Sequence, residues 1–143
     1  MKRSLTALLV VVAACHSGAT PAPTSGASSP TAAVNAFLAA GKAQDLQAMG
    51  AVWGTAKGPA RTGLSGVELA NYEKNELIMV HLLCQDQSRI VGESQAPMGN
   101  RTVTVELKHG SNTATLDFTT VVGPASRWYV GNFQIEKLQG LCR

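Results

Sequence analysis

The chain has 143 residues, of which 45% are apolar and 15% charged. It is therefore long enough for one domain and too apolar for a disordered chain. The formal net charge is +3, and the loss of Lys2 and Arg3 with an N-terminal leader would lower it to +1. A charge this close to zero excludes the basic footprint of nucleic-acid-binding proteins, so no nucleic-acid partner is predicted.

The N-terminus has the pattern of a secretory signal peptide. Lys2 and Arg3 precede an apolar stretch from Leu5 to Ala14, which is broken only by Thr6. About ten apolar residues are too few for a transmembrane helix, which needs about 20. A positive start, a short apolar stretch and small residues at its end are typical of a cleaved signal, which we expect over residues 1–14.

The end of this segment resembles the lipobox of bacterial lipoproteins. Its residues are Val12-Ala13-Ala14-Cys15. The resemblance implies cleavage between Ala14 and Cys15, with a diacylglycerol on the Cys15 thiol and a further acyl chain, such as palmitate, on the new amine. Two or three acyl chains anchor a protein stably to a membrane. Because small residues also suit an ordinary signal peptidase, simple secretion stays open as an alternative.

Residues 15–29 are predicted to form a flexible tether between the anchor and a folded domain. Apart from Cys15 and His16 they are all Gly, Ala, Ser, Thr or Pro, a composition that buries little surface. In lipoproteins an Asp directly after the lipidated Cys can retain the protein at the inner membrane, and His16 stands there instead. The cell envelope is the predicted location, with the outer membrane or the cell surface favoured.

Three helices are predicted at the start of the folded domain, residues 30–143. Ser29-Pro30 is typical of a helix start, with Ser as N-cap and Pro in the first turn, and Gly41 is the expected end. Asp45 is placed to cap a second, short helix. Ser65-Gly66-Val67-Glu68 has the spacing of a capping box for a third helix, over about residues 67–83. Five residues are expected on the inner face of that helix: Ala70, Leu77, Val80, His81 and Cys84.

Four strands are predicted after Cys84, where the apolar period changes from 3.6 to 2. Val103, Val105 and Leu107 alternate with polar residues, as in a half-buried strand. The apolar set of the last strand changes parity near Gly131, which predicts a β-bulge there. Three helices followed by a four-stranded meander indicate an α+β domain with an antiparallel sheet.

This domain resembles the nuclear-transport-factor-2-like, or cystatin-like cone, family. The similarity is carried by Val34–Ala40 with Asp45–Met49, and by Arg127–Val130 ahead of Phe133 and Ile135. It implies N-terminal helices packed on a curved, cone-like sheet, often with a pocket in its concave face. The family includes ketosteroid-isomerase-like and dehydratase enzymes, and also members without known activity, so fold membership does not determine function.

The cysteines are expected to form one disulfide. With Cys15 lipidated, Cys84 and Cys142 remain, and an exported chain enters an oxidising compartment. Two separate thiols are the alternative. A metal site at His81, Cys84 and Cys142 would lack the fourth ligand that structural zinc normally takes, so no metal and no cofactor is predicted.

No acid–base pair for catalysis is evident in the sequence. His81 is the only histidine inside a predicted regular element, and it is either a hydrogen-bonded core residue or a base. Asp117 should face solvent by strand alternation, and Tyr129 by itself is a core or rim residue. We therefore expect a lipid-anchored, non-catalytic domain that binds a small apolar ligand or an envelope protein. The alternative is an isomerase- or dehydratase-like enzyme with His81 as its base.

Overall fold

The computed structural model describes residues 25–143, so the predicted signal peptide, the Ala14–Cys15 bond and most of the tether lie outside the described residues. The α-helices are α1 (Pro30–Ala43), α2 (Leu46–Val52) and α3 (Gly66–Leu82). The strands are β1 (Gly54–Thr55), β2 (Gly58–Pro59), β3 (Gln87–Gln95), β4 (Arg101–His109), β5 (Asn112–Val122) and β6 (Trp128–Phe133). The predicted α+β class, with three helices and a four-stranded antiparallel sheet, is confirmed.

Helix α1 begins where the sequence predicts and ends two residues later. The Ser29 hydroxyl accepts a hydrogen bond from the amide of Ala32 at 3.1 Å. The helix continues through Gly41, and Gln44 ends it in the left-handed conformation with φ of 55°. A Cβ at Gly41 would lie 2.6 Å from Cδ1 of Leu83, so this glycine allows close packing rather than ending the helix.

Helix α3 has nearly the predicted length but a different inner face. Ser65 occupies the N-cap position without a side-chain hydrogen bond, so the predicted capping box is wrong. Three residues expected on the inner face, Ala70, Leu77 and His81, are exposed. The residues that α3 buries are Tyr72, Glu76, Met79 and Val80. Apolar residues lie on both faces of α3, so their spacing does not show which face is buried. The face that packs against the domain is not the predicted one.

The main sheet has the strand order β3-β4-β5-β6, as a meander requires. Val103 lies opposite Phe118 and Val105 opposite Leu116, and all four side chains are fully buried on the inner face. The register between β5 and β6 shifts beside Gly131, which confirms the predicted bulge. A two-stranded hairpin, β1 with β2, lies between α2 and α3.

Aromatic rings fill the space between α1 and the sheet. Phe37 is fully buried, with its ring centroid 5.9 Å from that of Trp53, 6.3 Å from Phe118 and 5.5 Å from Phe133. These contacts are edge-on, an arrangement that stabilises aromatic pairs beyond the area they bury. The inner face of the sheet is therefore occupied by side chains where α1 crosses it.

The folded domain begins earlier than the predicted boundary at Pro30. Ala27 exchanges two backbone hydrogen bonds with Trp128, and the Gly26 amide donates to the Ala51 carbonyl at 2.7 Å. Arg127 donates from Nη2 to the Gly26 carbonyl at 2.6 Å. Residues 25–29 are therefore part of the domain and not of a flexible tether. A Cβ at Gly26 would lie 2.7 Å from Cβ of Arg127, so a small residue is required there for packing, although the composition of this segment is that of a linker.

The sulfurs of Cys84 and Cys142 lie at disulfide distance, with 5.9 Å between the Cα atoms, in agreement with the predicted pair. The pair joins the end of α3 to the C-terminal tail. Asn112 holds the same tail by donating from Nδ2 to the Arg143 carbonyl at 2.8 Å. Within residues 25–143, no helix has the length and apolar character that a membrane span requires.

Candidate functional site

A cleft lies between α2 and the segment that follows β2. Its volume is about 260 Å³. The residues that line it are Leu46, Gln47, Gly50, Ala51, Pro59, Arg61 and Thr62. The walls are mainly aliphatic, with a few polar groups and one cation, as is common in sites for small molecules.

A buried glutamate lies behind the wall of this cleft. Glu76 on α3 is only 1% exposed. A Cβ at Gly50 would lie 2.8 Å from Oε1 of Glu76 and 3.6 Å from the hydroxyl of Tyr72. Glycine inside a helix costs about 1 kcal/mol relative to alanine. The close approach of these two side chains explains why α2 has a glycine here.

Arg61 connects the cleft to the buried glutamate. Its guanidinium forms an ion pair with Glu73 through Nη2, and Nη1 lies 4.0 Å from Oε2 of Glu76. The Arg61 side chain is 42% exposed and also lines the cleft. The charge of Glu76 is therefore compensated only at a distance, by a cation whose closer partner is Glu73.

Burial raises the pKa of Glu76 above its usual value, although the nearby Tyr72 hydroxyl and the Arg61 guanidinium oppose this change. Burial, and then the neighbouring Glu76, also raise the pKa of Tyr72. Neither the Tyr72 hydroxyl nor Oε1 of Glu76 has a hydrogen-bond partner among the described residues. Buried polar groups normally have one, and perturbed groups beside a cleft are typical of functional sites.

His81 does not occupy the inward position predicted from the sequence. Its ring is exposed on α3, and Nδ1 lies 2.8 Å from the Leu77 carbonyl, one turn earlier. It borders a separate shallow cleft of about 230 Å³ together with Lys42, Cys84 and Asp86. The different rotation of α3 is the reason, since it turns Glu76 rather than His81 towards the core.

The other residues weighed for chemistry have structural contacts. Asp117 is half-buried rather than solvent-facing, and it accepts a 2.6 Å hydrogen bond from the Thr104 hydroxyl. Tyr129 is 2% exposed, and its hydroxyl lies 3.3 Å from that of Ser25. Within the described part of the chain, no group of three or more His, Cys, Asp or Glu side chains is placed to hold a metal ion.

The sequence did contain a signal for the residues that were missed. Tyr72, Glu76, Met79 and Val80 recur at the spacing of one helix face. A glutamate in such a stripe is normally assigned to the solvent side, because glutamate is almost never fully buried without a partner. Arg61 and Gly50 come from distant segments, and nothing in the sequence connects them to this face.

No protein-family model, curated protein or solved structure matches this chain. What the site does must therefore be inferred from its own residues.

Proposed function

We propose that this protein is a bacterial envelope lipoprotein, anchored through Cys15, whose cone-like domain binds a small, largely apolar ligand without catalysis. The ligand site is the cleft between α2 and the segment after β2. The observation that carries the proposal is this cleft, lined mainly by aliphatic atoms, with two buried polar atoms behind Gly50 that have no hydrogen-bond partner within residues 25–143. A convergent polar group at an apolar cleft is the usual design of a small-molecule site.

The anchor part of the proposal rests on the sequence around Cys15. The lipobox pattern, the short apolar segment before it and the small residues after it agree with one another. The domain is compatible with this arrangement, because Ser25 and Gly26, which contact Tyr129 and Arg127, follow Cys15 by only about ten residues. An extended chain covers about 3.3–3.6 Å per residue, which would hold the domain within about 35 Å of the bilayer.

An isomerase- or dehydratase-like activity with His81 as base has less support. A catalytic base must reach a bound substrate, and the His81 ring lies on the outside of α3. The space between α1 and the sheet, where the family often has its pocket, is occupied by the rings around Phe37. A binding function therefore agrees better with the geometry.

The ligand site is tested by titrating the full chain with 1-butanol and following backbone amide shifts by NMR. Shifts are expected at Leu46, Ala51 and Thr62, which line the cleft. Ala51→Leu should fill the cleft and weaken binding by about tenfold or more, because a leucine side chain occupies the space that the probe needs.

Ala48→Leu is the matched control. Ala48 lies on the same helix, α2, but it is exposed and outside the cleft, so this variant should bind 1-butanol like the native chain. Shifts spread over the whole surface, or equal affinity in the Ala51→Leu and Ala48→Leu variants, would refute the cleft as the site.

A further inference from the structure

The polar atoms behind the cleft indicate which ligand it takes. We propose that the ligand has a protonated amine, which reaches beside Arg61 and donates hydrogen bonds to the Glu76 carboxylate and the Tyr72 hydroxyl. This inference rests on the proposed function, because it uses the same cleft, and it specifies the chemical class of the ligand: a small amine with an apolar body.

Geometry is the first argument for an amine. Oε1 of Glu76 and the hydroxyl oxygen of Tyr72 lie 2.8 Å and 3.6 Å from the point where a Cβ on Gly50 would stand, so both oxygens lie close behind the Gly50 wall of the cleft. Both can accept a hydrogen bond, and neither has a partner among the described residues. An ammonium group has three donors and no acceptor, so a single one can satisfy both oxygens.

Charge is the second argument. The charged and titratable groups near Glu76 are Tyr72 and Glu73 on its own helix and Arg61 from the segment after β2, while α2 contributes none. Two carboxylates therefore share one guanidinium. A buried carboxylate without a close counter-ion is costly, and an added cation would remove that cost whereas an added anion would increase it.

The position of Arg61 suggests how an amine in the cleft could reach Glu76. Its guanidinium lies between the cleft and Glu76, contacts Oε2 at only 4.0 Å, and has its shorter ion pair with the more exposed Glu73. A small movement of this half-exposed side chain towards Glu73 would leave the Glu76 carboxylate open to a cation from the cleft. The aliphatic walls at Leu46, Ala51 and Pro59 would then hold the apolar body of the ligand.

The test compares n-butylammonium with 1-butanol, two probes of the same shape that differ in charge. Both are titrated into the full chain at pH 7 and followed by NMR. The native chain should bind n-butylammonium about tenfold more tightly, because hydrogen bonds to charged groups are stronger than neutral ones. Glu76→Gln should abolish this preference, and Glu68→Gln, at an exposed position of the same helix, should keep it.

The two proposals fail in different ways. Equal affinity for both probes, or a preference that persists in Glu76→Gln, would overturn the amine while 1-butanol shifts in the cleft still support the ligand site. No shift with either probe would overturn both proposals. If Glu76→Gln does not fold, Tyr72→Phe serves instead: it should reduce the preference by several-fold, and an unchanged preference would again overturn the amine.

Discussion

Glu76 is the residue with the largest consequences for this domain. It is an acid with 1% exposure on the inner face of α3. Among residues 25–143, its nearest cation lies 4.0 Å from Oε2, and Oε1 has no hydrogen-bond partner. Such a group destabilises the fold when it is ionised. A buried ionisable group with a perturbed pKa beside a cleft is typical of functional sites.

The stability of the domain should therefore depend on the ionisation of Glu76. Burial raises its pKa in the folded state above the ordinary value, so the folded chain holds this proton more tightly than the unfolded chain. The stabilisation is fully present below the ordinary pKa and is lost as the pH rises through the folded pKa. Glu76→Gln should raise the free energy of unfolding at pH 7 by about 1 kcal/mol, as measured by urea denaturation.

The comparison across pH isolates this effect. The difference between the native chain and Glu76→Gln should be larger at pH 7 than at pH 4, whereas Glu68→Gln should differ little from the native chain at either pH. Asp86 changes the pH dependence of stability in the opposite direction, because the hydrogen bond that it accepts from the Gly110 amide lowers its pKa. The native chain and Glu76→Gln both contain Asp86, so its contribution cancels in their difference. A difference that is constant from pH 4 to pH 7 would contradict a raised pKa.

Single residues were predicted from the sequence where the signal is local. Ser29 and Asp45 cap their helices as expected, because an N-cap needs only the amides two or three residues ahead. Glu76 and Gly50 could not be predicted, because their roles depend on each other and they lie 26 positions apart in the sequence. Arg61 was missed for the same reason.

At the level of elements, α3 shows why a face can be assigned wrongly. Val67 is 76% exposed and Leu77 50% exposed, so apolar residues follow the outer face as well as the inner one. The apolar period is therefore compatible with either face of α3 being buried, and the face that contains Glu76 is the less obvious candidate because glutamate is rarely buried. The buried face of the strands was easier to predict, because Val103, Val105 and Leu107 all lie on one face of β4 and polar residues lie on the other.

The C-terminal tail is held to α3 and to the sheet by several contacts. The Cys84–Cys142 pair spans 58 positions of sequence, Leu141 is 3% exposed, and Asn112 donates to the Leu141 carbonyl at 3.3 Å. Cross-linking a loop of this length is worth about 4 kcal/mol in the chain-entropy model, and measured values are often smaller.

Cys142→Ser should therefore lower the free energy of unfolding by about 2–4 kcal/mol, measured by denaturant titration without reductant. Addition of dithiothreitol should lower the stability of the native chain by a similar amount and leave the variant unchanged. If reductant affected both chains equally, or neither of them, the two cysteines would not be joined in the folded protein.

At the scale of the whole molecule, the sequence predicted the class and order of the fold but not where it begins. Hydrophobic periods of 3.6 and 2 identify helices and strands, and the predicted change of period after Cys84 agrees with α3 being followed by β3. Residues 25–29 have the composition of a linker, yet Gly26 and Ala27 pack against β6 and its flanking residue. Small residues suit both roles, so composition cannot distinguish them.

The proposed attachment of this domain to a membrane through the Cys15 thiol is measured directly by the intact mass of the protein. In protein extracted from the membrane fraction of the native cells, the chain should start at Cys15 and have added mass from its acyl chains. Cys15→Ala should be lost from that fraction. A chain that retains Met1, has no acyl mass and is recovered from the cytosol would contradict the proposed anchor.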